Sequence, residues 1–110
     1  MEIQTKQLRR CDVVIAKGRI DSATVKGLHE ALASIKESGR YHIVLDMKEV
    51  SYISSAGLGE LIDTQTTCKR HGGEVILADV PPRVTEVLDL AGLAPLFKVF
   101  ANQTEAVGSF

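Results

Sequence analysis

Apolar residues in this chain recur in two patterns, short continuous runs and longer segments with a helical repeat. The runs at 11–18, 41–47 and 74–79 have aliphatic, mostly β-branched centres, which are typical of buried strands. A weakly alternating stretch at 3–8 predicts an edge strand, and the run at 96–100 predicts a last short strand. We therefore expect five strands.

Segments with helical spacing separate these strands. Ser22 is the expected N-cap of a first helix, because a serine oxygen accepts hydrogen bonds from first-turn amides, and Gly39 is the expected stop. A second helix is predicted over 55–70, before His-Gly-Gly. The predicted apolar positions are Val25, Leu28, Leu32 and Ile35 in the first helix and Leu58, Leu61, Ile62 and Cys68 in the second.

Two further helical segments complete the chain. A third helix begins at Pro81-Pro82, because proline is tolerated in a first turn, and ends at Gly92. A final helical turn follows, with Asn102 or Thr104 as its cap. The predicted inner face of the third helix consists of Val84, Val87, Leu88 and Ala91.

The predicted order of elements is ββαβαβαβα, with short connections throughout. Strands that alternate with helices after an initial pair indicate a mixed, largely parallel sheet packed against helices. No internal repeat or linker-like change of composition divides the chain, so we expect one α/β domain over residues 1–110.

Composition and charge exclude several classes of function. The net charge of −1 creates no long-range attraction to nucleic acid or to an anionic membrane, and the short basic clusters at 9–10 and 69–71 indicate solvated surface. No run approaches the roughly 18 apolar residues of a membrane span. Cys11 and Cys68 are isolated, which is typical of reduced thiols. We expect a cytoplasmic protein without membrane insertion or direct nucleic-acid binding.

Serines at 54 and 55 raise the question of catalysis, but their surroundings do not support it. A nucleophile elbow requires G-x-S-x-G, and Ile53 stands where the first glycine should be for Ser55. None of the three histidines is tied by spacing to a serine, and no phosphate-binding glycine loop or set of metal ligands is present. We therefore expect no enzyme activity, no cofactor and no metal.

The serine pair also has a purely structural interpretation. Serine is a preferred N-cap, so Ser54 or Ser55 can begin a helix without any further role. However, only one of them can be the cap. Gly57 and Gly59 also weaken the first turns by roughly 1 kcal/mol each relative to alanine, which suggests close approach by another surface. Leu58, between the glycines, is then a candidate exposed apolar contact.

The segment "VLDMKEVSYISSAGLGELI" resembles the signature of the STAS domain in the anti-sigma factor antagonist family. The resemblance covers nearly the whole chain, because "GRID", "HGGEVILADV" and "VTEVLDLAGLAPLFKVF" also match the family pattern in order. It implies a small mixed sheet with helices, in agreement with the fold predicted above.

The resemblance also implies a switch. In this family an anti-sigma factor that is itself a serine kinase of the GHKL type phosphorylates a serine at the start of the second helix. The unphosphorylated antagonist binds that kinase and frees the sigma factor, and a phosphatase restores it. By match to the motif, the modified residue is Ser55. The expected partner-binding residues are Asp21, Ser22, Ser54, Ala56, Gly57 and Leu58.

One position departs from the family pattern. Ser54 stands where an aspartate is usual, so the chain lacks a carboxylate that could orient the acceptor hydroxyl or take up its proton. This departure leaves two expectations open, slower modification or a base supplied by the kinase.

Two other functions are alternatives for this sequence. A stand-alone STAS subunit of a membrane transport or other signalling assembly would keep the domain without phosphorylation. A small-molecule hydrolase or nucleotide-binding enzyme would need a base near Ser55, and the sequence offers none.

Overall fold

The computed structural model describes all 110 residues and is built around a five-stranded sheet whose strands lie in sequential order. The strands are β1 (Glu2–Gln7), β2 (Asp12–Ile20), β3 (His42–Ile53), β4 (Glu74–Ala78) and β5 (Val99–Phe100). β1 pairs with β2 in antiparallel orientation, and the three remaining pairs are parallel. The predicted mixed, largely parallel sheet is confirmed.

Four helices connect or follow the strands. They are α1 (Val25–Glu37), α2 (Ser55–Arg70), α3 (Pro82–Leu90) and α4 (Gln103–Gly108), with one 3-10 turn at Ala94–Leu96. The predicted element order and α/β fold class are confirmed, and α2 has the predicted bounds. None of these helices combines the length and the apolarity needed to cross a lipid bilayer.

Alternation along the strands directs side chains into two cores. On one face, β-strand residues such as Val14, Leu45 and Leu77 pack with the inner faces of α1, α2 and α3. On the other face, Val13, Val44 and Ile76 lie in a smaller cluster that includes Ala106 of α4. Both faces of the central strands are therefore buried, which explains their continuous apolar runs.

The parallel strands bring two loops together at one edge of the sheet. Ile20 at the end of β2 is the register partner of Ile53 at the end of β3. The next amide along the chain, Ser54 N–H, donates to the carbonyl of Ile20 at 2.8 Å. The connections that lead into α1 and α2 consequently lie side by side.

The predicted start of the first helix is wrong. Ser22 is exposed and caps nothing, whereas the Asp21 carboxylate accepts the amides of Ala23 and Thr24 at 3.0 and 3.2 Å. In return the Thr24 hydroxyl accepts the Asp21 amide at 2.9 Å, a reciprocal arrangement like that of a capping box. Asp21 therefore caps the turn that precedes α1.

Predicted inner faces are partly corrected as well. Ala91 lies beyond α3 and is exposed, because the chain leaves the helix after Leu90. In α2, Leu58 and Ile62 are only half-buried, while Gly57, Thr64 and Gln65 are buried. Asn102 is the cap of α4, since its side chain accepts the amide of Glu105 at 2.9 Å.

The Gln65 side chain is buried, and its polar atoms are satisfied by hydrogen bonds to backbone groups. Its side-chain amide donates to the carbonyls of Val75 and Leu96 at 3.1 and 2.7 Å, and its side-chain oxygen accepts the amide of Val75 at 2.6 Å. The three bonds satisfy backbone groups of β4 and of the 3-10 turn. They fasten α2 to the sheet far from the amino end of the helix.

Both cysteines are buried and unpaired. Burial raises the pKa of the Cys68 thiol to about 11, against a smaller lowering effect of Lys36. Burial and the neighbouring Asp12 carboxylate raise the pKa of Cys11, and Arg40 partly opposes this. Both groups are therefore neutral thiols near neutral pH.

Replacing Gln65 by leucine should lower the free energy of unfolding by about 1–3 kcal/mol, because the amide and carbonyl of Val75 lose a partner in a buried place. Urea unfolding followed by circular dichroism measures this as a lower midpoint at unchanged slope. Thr66→Ala, at the exposed neighbouring position, is the control and should change stability by no more than about 0.5 kcal/mol. Equal stability of Gln65→Leu and the parent protein would contradict this role of Gln65.

Candidate functional site

The candidate site is the amino end of α2, where β3 ends and the helix begins. Ser54 is the N-cap residue, with extended backbone dihedrals, and Ser55 is the first helical residue. The Ser54 carbonyl accepts the Leu58 amide at 2.9 Å, which closes the first helical turn. Two backbone bonds, one to Ile20 and one to Leu58, thus fix the Ser54 peptide between strand and helix.

The two serine side chains have opposite environments. The Ser54 Oγ is buried and has no hydrogen-bond partner, and it makes no capping bond to the helix. Ser55 is exposed. The structural interpretation of the pair as side-chain caps is therefore wrong for both residues, and only Ser55 presents its side chain to the solvent.

The first-turn amides of α2 remain free. The amides of Ser55, Ala56 and Gly57 have no acceptor in the protein, as expected for a helix start without a side-chain cap. Free N–H groups and the helix dipole together give this end of a 16-residue helix a partial positive charge. The electrostatics there favour an anion.

Gly57 is required by the packing inside the domain. A Cβ at this position would lie 2.7 Å from Cγ1 of Ile53 and 2.8 Å from Cγ2 of Ile20, both completely or almost completely buried. The close approach predicted from the glycines is therefore with the domain's own strands at Gly57. At Gly59 a Cβ would meet nothing within 4 Å.

Leu58 and Ala56 are half-buried, so each retains some exposed surface beside Ser55. Leu58 also packs partly against the main core, so only part of the predicted apolar contact is exposed. One turn further along, the Glu60 carboxylate lies 2.9 Å from Nδ1 of His29 and connects α2 to α1.

The turn before α1 forms the neighbouring part of the site. Partial burial opposes ionisation of Asp21, but hydrogen bonds from Ala23, Thr24 and Arg19 lower the pKa of its carboxyl below its ordinary value. Asp21 is therefore an anion at neutral pH. Ser22 projects from the same turn and is exposed.

Sequence reasoning missed Arg19 and Tyr52, which lie beside these loops. The Arg19 guanidinium is 4.5 Å from the centre of the Tyr52 ring and 3.4 Å from Asp21 Oδ2. Arg19 on β2 and Tyr52 on β3 are register partners in the sheet. Only the register of the sheet, which sequence does not give, could have revealed the pair.

The site offers an accessible hydroxyl but no catalytic partner for it. His29 forms a hydrogen bond with Glu60. His42 is the first residue of β3 and His71 directly follows α2, so both lie at the other end of these elements from Ser55. No group of three or more His, Cys, Asp or Glu side chains is arranged to hold a metal ion.

Comparisons with known proteins find one family that covers nearly the whole chain. The profile of the STAS domain family matches residues 2–106. The chain is 32% identical over 97 residues to the BtrV protein of Bordetella bronchiseptica, named as a proposed anti-sigma factor antagonist, covering 88% of this chain and 83% of that protein. It is 27% identical to the anti-sigma F factor antagonist of Paenibacillus polymyxa, covering 97% and 92%.

Solved structures share the fold. The anti-sigma factor antagonist SpoIIAA in its unphosphorylated form superposes with a TM-score of 0.84 at 22% identity, over 98% of this chain and 95% of that one. The phosphorylated form of Bacillus SpoIIAA superposes with a TM-score of 0.78 at 21% identity, over 98% of both chains.

The two glycines of the helix start should respond in opposite directions to alanine. Gly57→Ala should lower the free energy of unfolding by about 1–3 kcal/mol, because the added Cβ overlaps branched side chains close to the backbone. Gly59→Ala should raise it by about 0.5–1 kcal/mol through helix propensity alone. Chemical unfolding of both variants measures these changes in the free energy of unfolding. A Gly57→Ala variant that is more stable than the parent protein would show that α2 does not pack closely against Ile20 and Ile53.

Proposed function

This chain belongs to the STAS domain family, and from that premise we propose that it is an anti-sigma factor antagonist controlled by phosphorylation of Ser55. In the proposed cycle, the unphosphorylated protein binds a serine kinase of the GHKL type that is also an anti-sigma factor, and so frees the sigma factor. Phosphorylation by that kinase ends binding, and a phosphatase acting on phospho-Ser55 restores it. The proposed setting is the cytoplasm.

The general role is supported by the relatives, several of which are named anti-sigma factor antagonists. The observation that carries the proposed switch is the difference between the two serines. Ser55 is exposed at the helix start, whereas the Ser54 Oγ is sealed inside the protein. A kinase can therefore reach one hydroxyl of the pair without unfolding the domain.

The proposed chemical step is transfer of the γ-phosphoryl group of ATP to Ser55. The Ser55 Oγ forms a bond to phosphorus, the bond to the β-phosphate oxygen breaks, ADP leaves, and the hydroxyl proton passes to a base. Ser54 replaces the carboxylate usual in this family, and its buried hydroxyl cannot serve as that base. We therefore assign the base to the kinase.

A phosphate on Ser55 adds a charge of about −1.5 to −2 beside the free amides of the first turn, where a negative charge is favourable. We expect the modified domain to stay folded. Docking is affected instead, because a partner that covers this end must strip water from a dianion, at a cost of several kcal/mol without matching cations.

The proposed docking surface combines the amino end of α2 with the turn before α1. Leu58 and Ala56 supply partly exposed apolar area, while Asp21 and Ser22 supply polar groups on the adjacent loop. Gly57 and Ser54 contribute to this surface through their backbone and through the position of the helix, since their own side-chain sites are buried.

Incubation with the cognate kinase and ATP should place phosphate on Ser55 alone. Mass spectrometry of the digested protein measures the site. Ser55→Ala should abolish incorporation, and Ser54→Ala is the matched control that should still be phosphorylated at position 55. Phosphate on Ser54, or tight binding of the kinase with Ser55 left unmodified, would contradict the proposed switch.

Phosphorylation should weaken binding to the kinase by about 100-fold, which corresponds to roughly 3 kcal/mol of lost affinity. Calorimetric titration of both forms measures the affinity, and a thermal melt of each form is the control for folding. We expect similar melting temperatures. A large fall in melting temperature that accompanies the loss of binding would favour unfolding over local charge as the mechanism.

A further inference from the structure

A second feature lies at the opposite edge of the sheet, where the amino ends of β2, β3 and β4 meet. A cavity of about 250 Å³ opens there, lined by three segments that are distant in sequence. Its charged and polar side chains are Arg10, Arg40, Tyr41, His42 and His71, and no Asp or Glu side chain lines it. Nη1 of Arg10 also donates a long hydrogen bond to the main-chain oxygen of Phe110 at 3.5 Å, which leaves its other N–H groups available. The proposed regulatory serine is at the other end of the parallel strands.

Arg40 is held in place before any ligand arrives. Its Nε donates to the buried Asp12 carboxylate, and its Nη2 donates to the carbonyls of Leu8 and Cys11. Its Nη1 has no acceptor in the protein. Asp12 offsets part of the Arg40 charge, but the guanidinium still presents free N–H donors in a fixed direction, which lowers the entropic cost of binding an anion.

The His71 ring is also held in a fixed orientation by contacts within the protein. Its ring stacks on Tyr41, with 4.1 Å between ring centres and 5° between planes. Nδ1 lies 2.9 Å from the carbonyl oxygen of Thr67, and a carbonyl can only accept, so Nδ1 carries a hydrogen. The other ring nitrogen of His71, Nε2, has no hydrogen-bond partner in the protein.

The carboxyl ends of α1 and α2 lie near this cavity, and several of their last carbonyls already accept hydrogen bonds. Carbonyls at helix ends repel anions when they are free. Here those of Ile35, Lys36, Cys68 and Lys69 accept backbone amides within the turns that end the helices. The nearby acid Glu74 is paired with Lys98 at 3.2 Å.

We propose that this cavity binds a small phosphate-bearing anion, with Arg10 and Arg40 as its charged donors and His71 as a neighbouring wall. The two guanidinium groups come from separate segments, and a phosphate group has enough acceptor oxygens to meet both of them, whereas a carboxylate has two oxygens on one side. The site is independent of phosphorylation at Ser55. It would give the domain a second input, on the edge away from the proposed docking surface.

The test is a titration of the 15N-labelled full chain, followed through its amide chemical shifts. Inorganic phosphate and ribose 5-phosphate are the two probes, with sodium chloride of equal ionic strength as the reference. We expect saturable shifts of the amides of Gly39, Tyr41, His42 and His71. Tighter binding of one probe identifies a free or an esterified phosphate as the preferred form.

Two variants distinguish binding at a specific site from general electrostatic attraction of the anion. Arg10→Ala should weaken binding by about tenfold through loss of a charge-assisted bond. Arg70→Ala removes the same charge next to the cavity without removing a lining residue, and should leave binding within about twofold. The proposal is overturned by shifts confined to the free amides of 55–57, by shifts that do not saturate, or by equal effects of the two variants.

Discussion

The contact of Gly57 with Ile20 and Ile53 is the constraint on which the site depends. It brings the backbone of α2 so close to the ends of β2 and β3 that no side chain fits between them. The hydrogen bond from Ser54 N–H to the Ile20 carbonyl fixes the same junction from the backbone. The start of the helix is therefore positioned by the main core, and the loops before α1 and α2 become neighbours.

The close packing at Gly57 also determines the environment of each serine side chain. Ser54 at the junction turns its hydroxyl into the protein, where nothing bonds to it, and Ser55 one residue later lies outside. A negative group attached there meets free amides and solvent and no part of the core. In the proposed switch, regulation through such a group needs no change of fold, since the cost of removing water from it reduces the free energy of binding and not that of folding.

Periodicity predicts most of this fold and much less of the site. β2, β3 and β4 were predictable because their apolar runs are strong, and the end of α2 because two glycines follow it. Asp21 and Ser22 are both good caps, and only the geometry of the turn selects Asp21. Gly57 and Gly59 look equivalent in sequence, yet one is enclosed and the other open. The burial of Gln65 depends on backbone groups of a distant strand, which no local pattern records.

The most direct test compares amide spectra of the 15N-labelled protein with and without phosphate on Ser55. We expect chemical-shift changes confined to the junction, at 20–24 and 53–60, with the α4 face around Val44, Ile76 and Ala106 unchanged as an internal reference. Changes that extend across that opposite face, or a loss of spectral dispersion, would show that the phosphate refolds the domain and would contradict control by local charge.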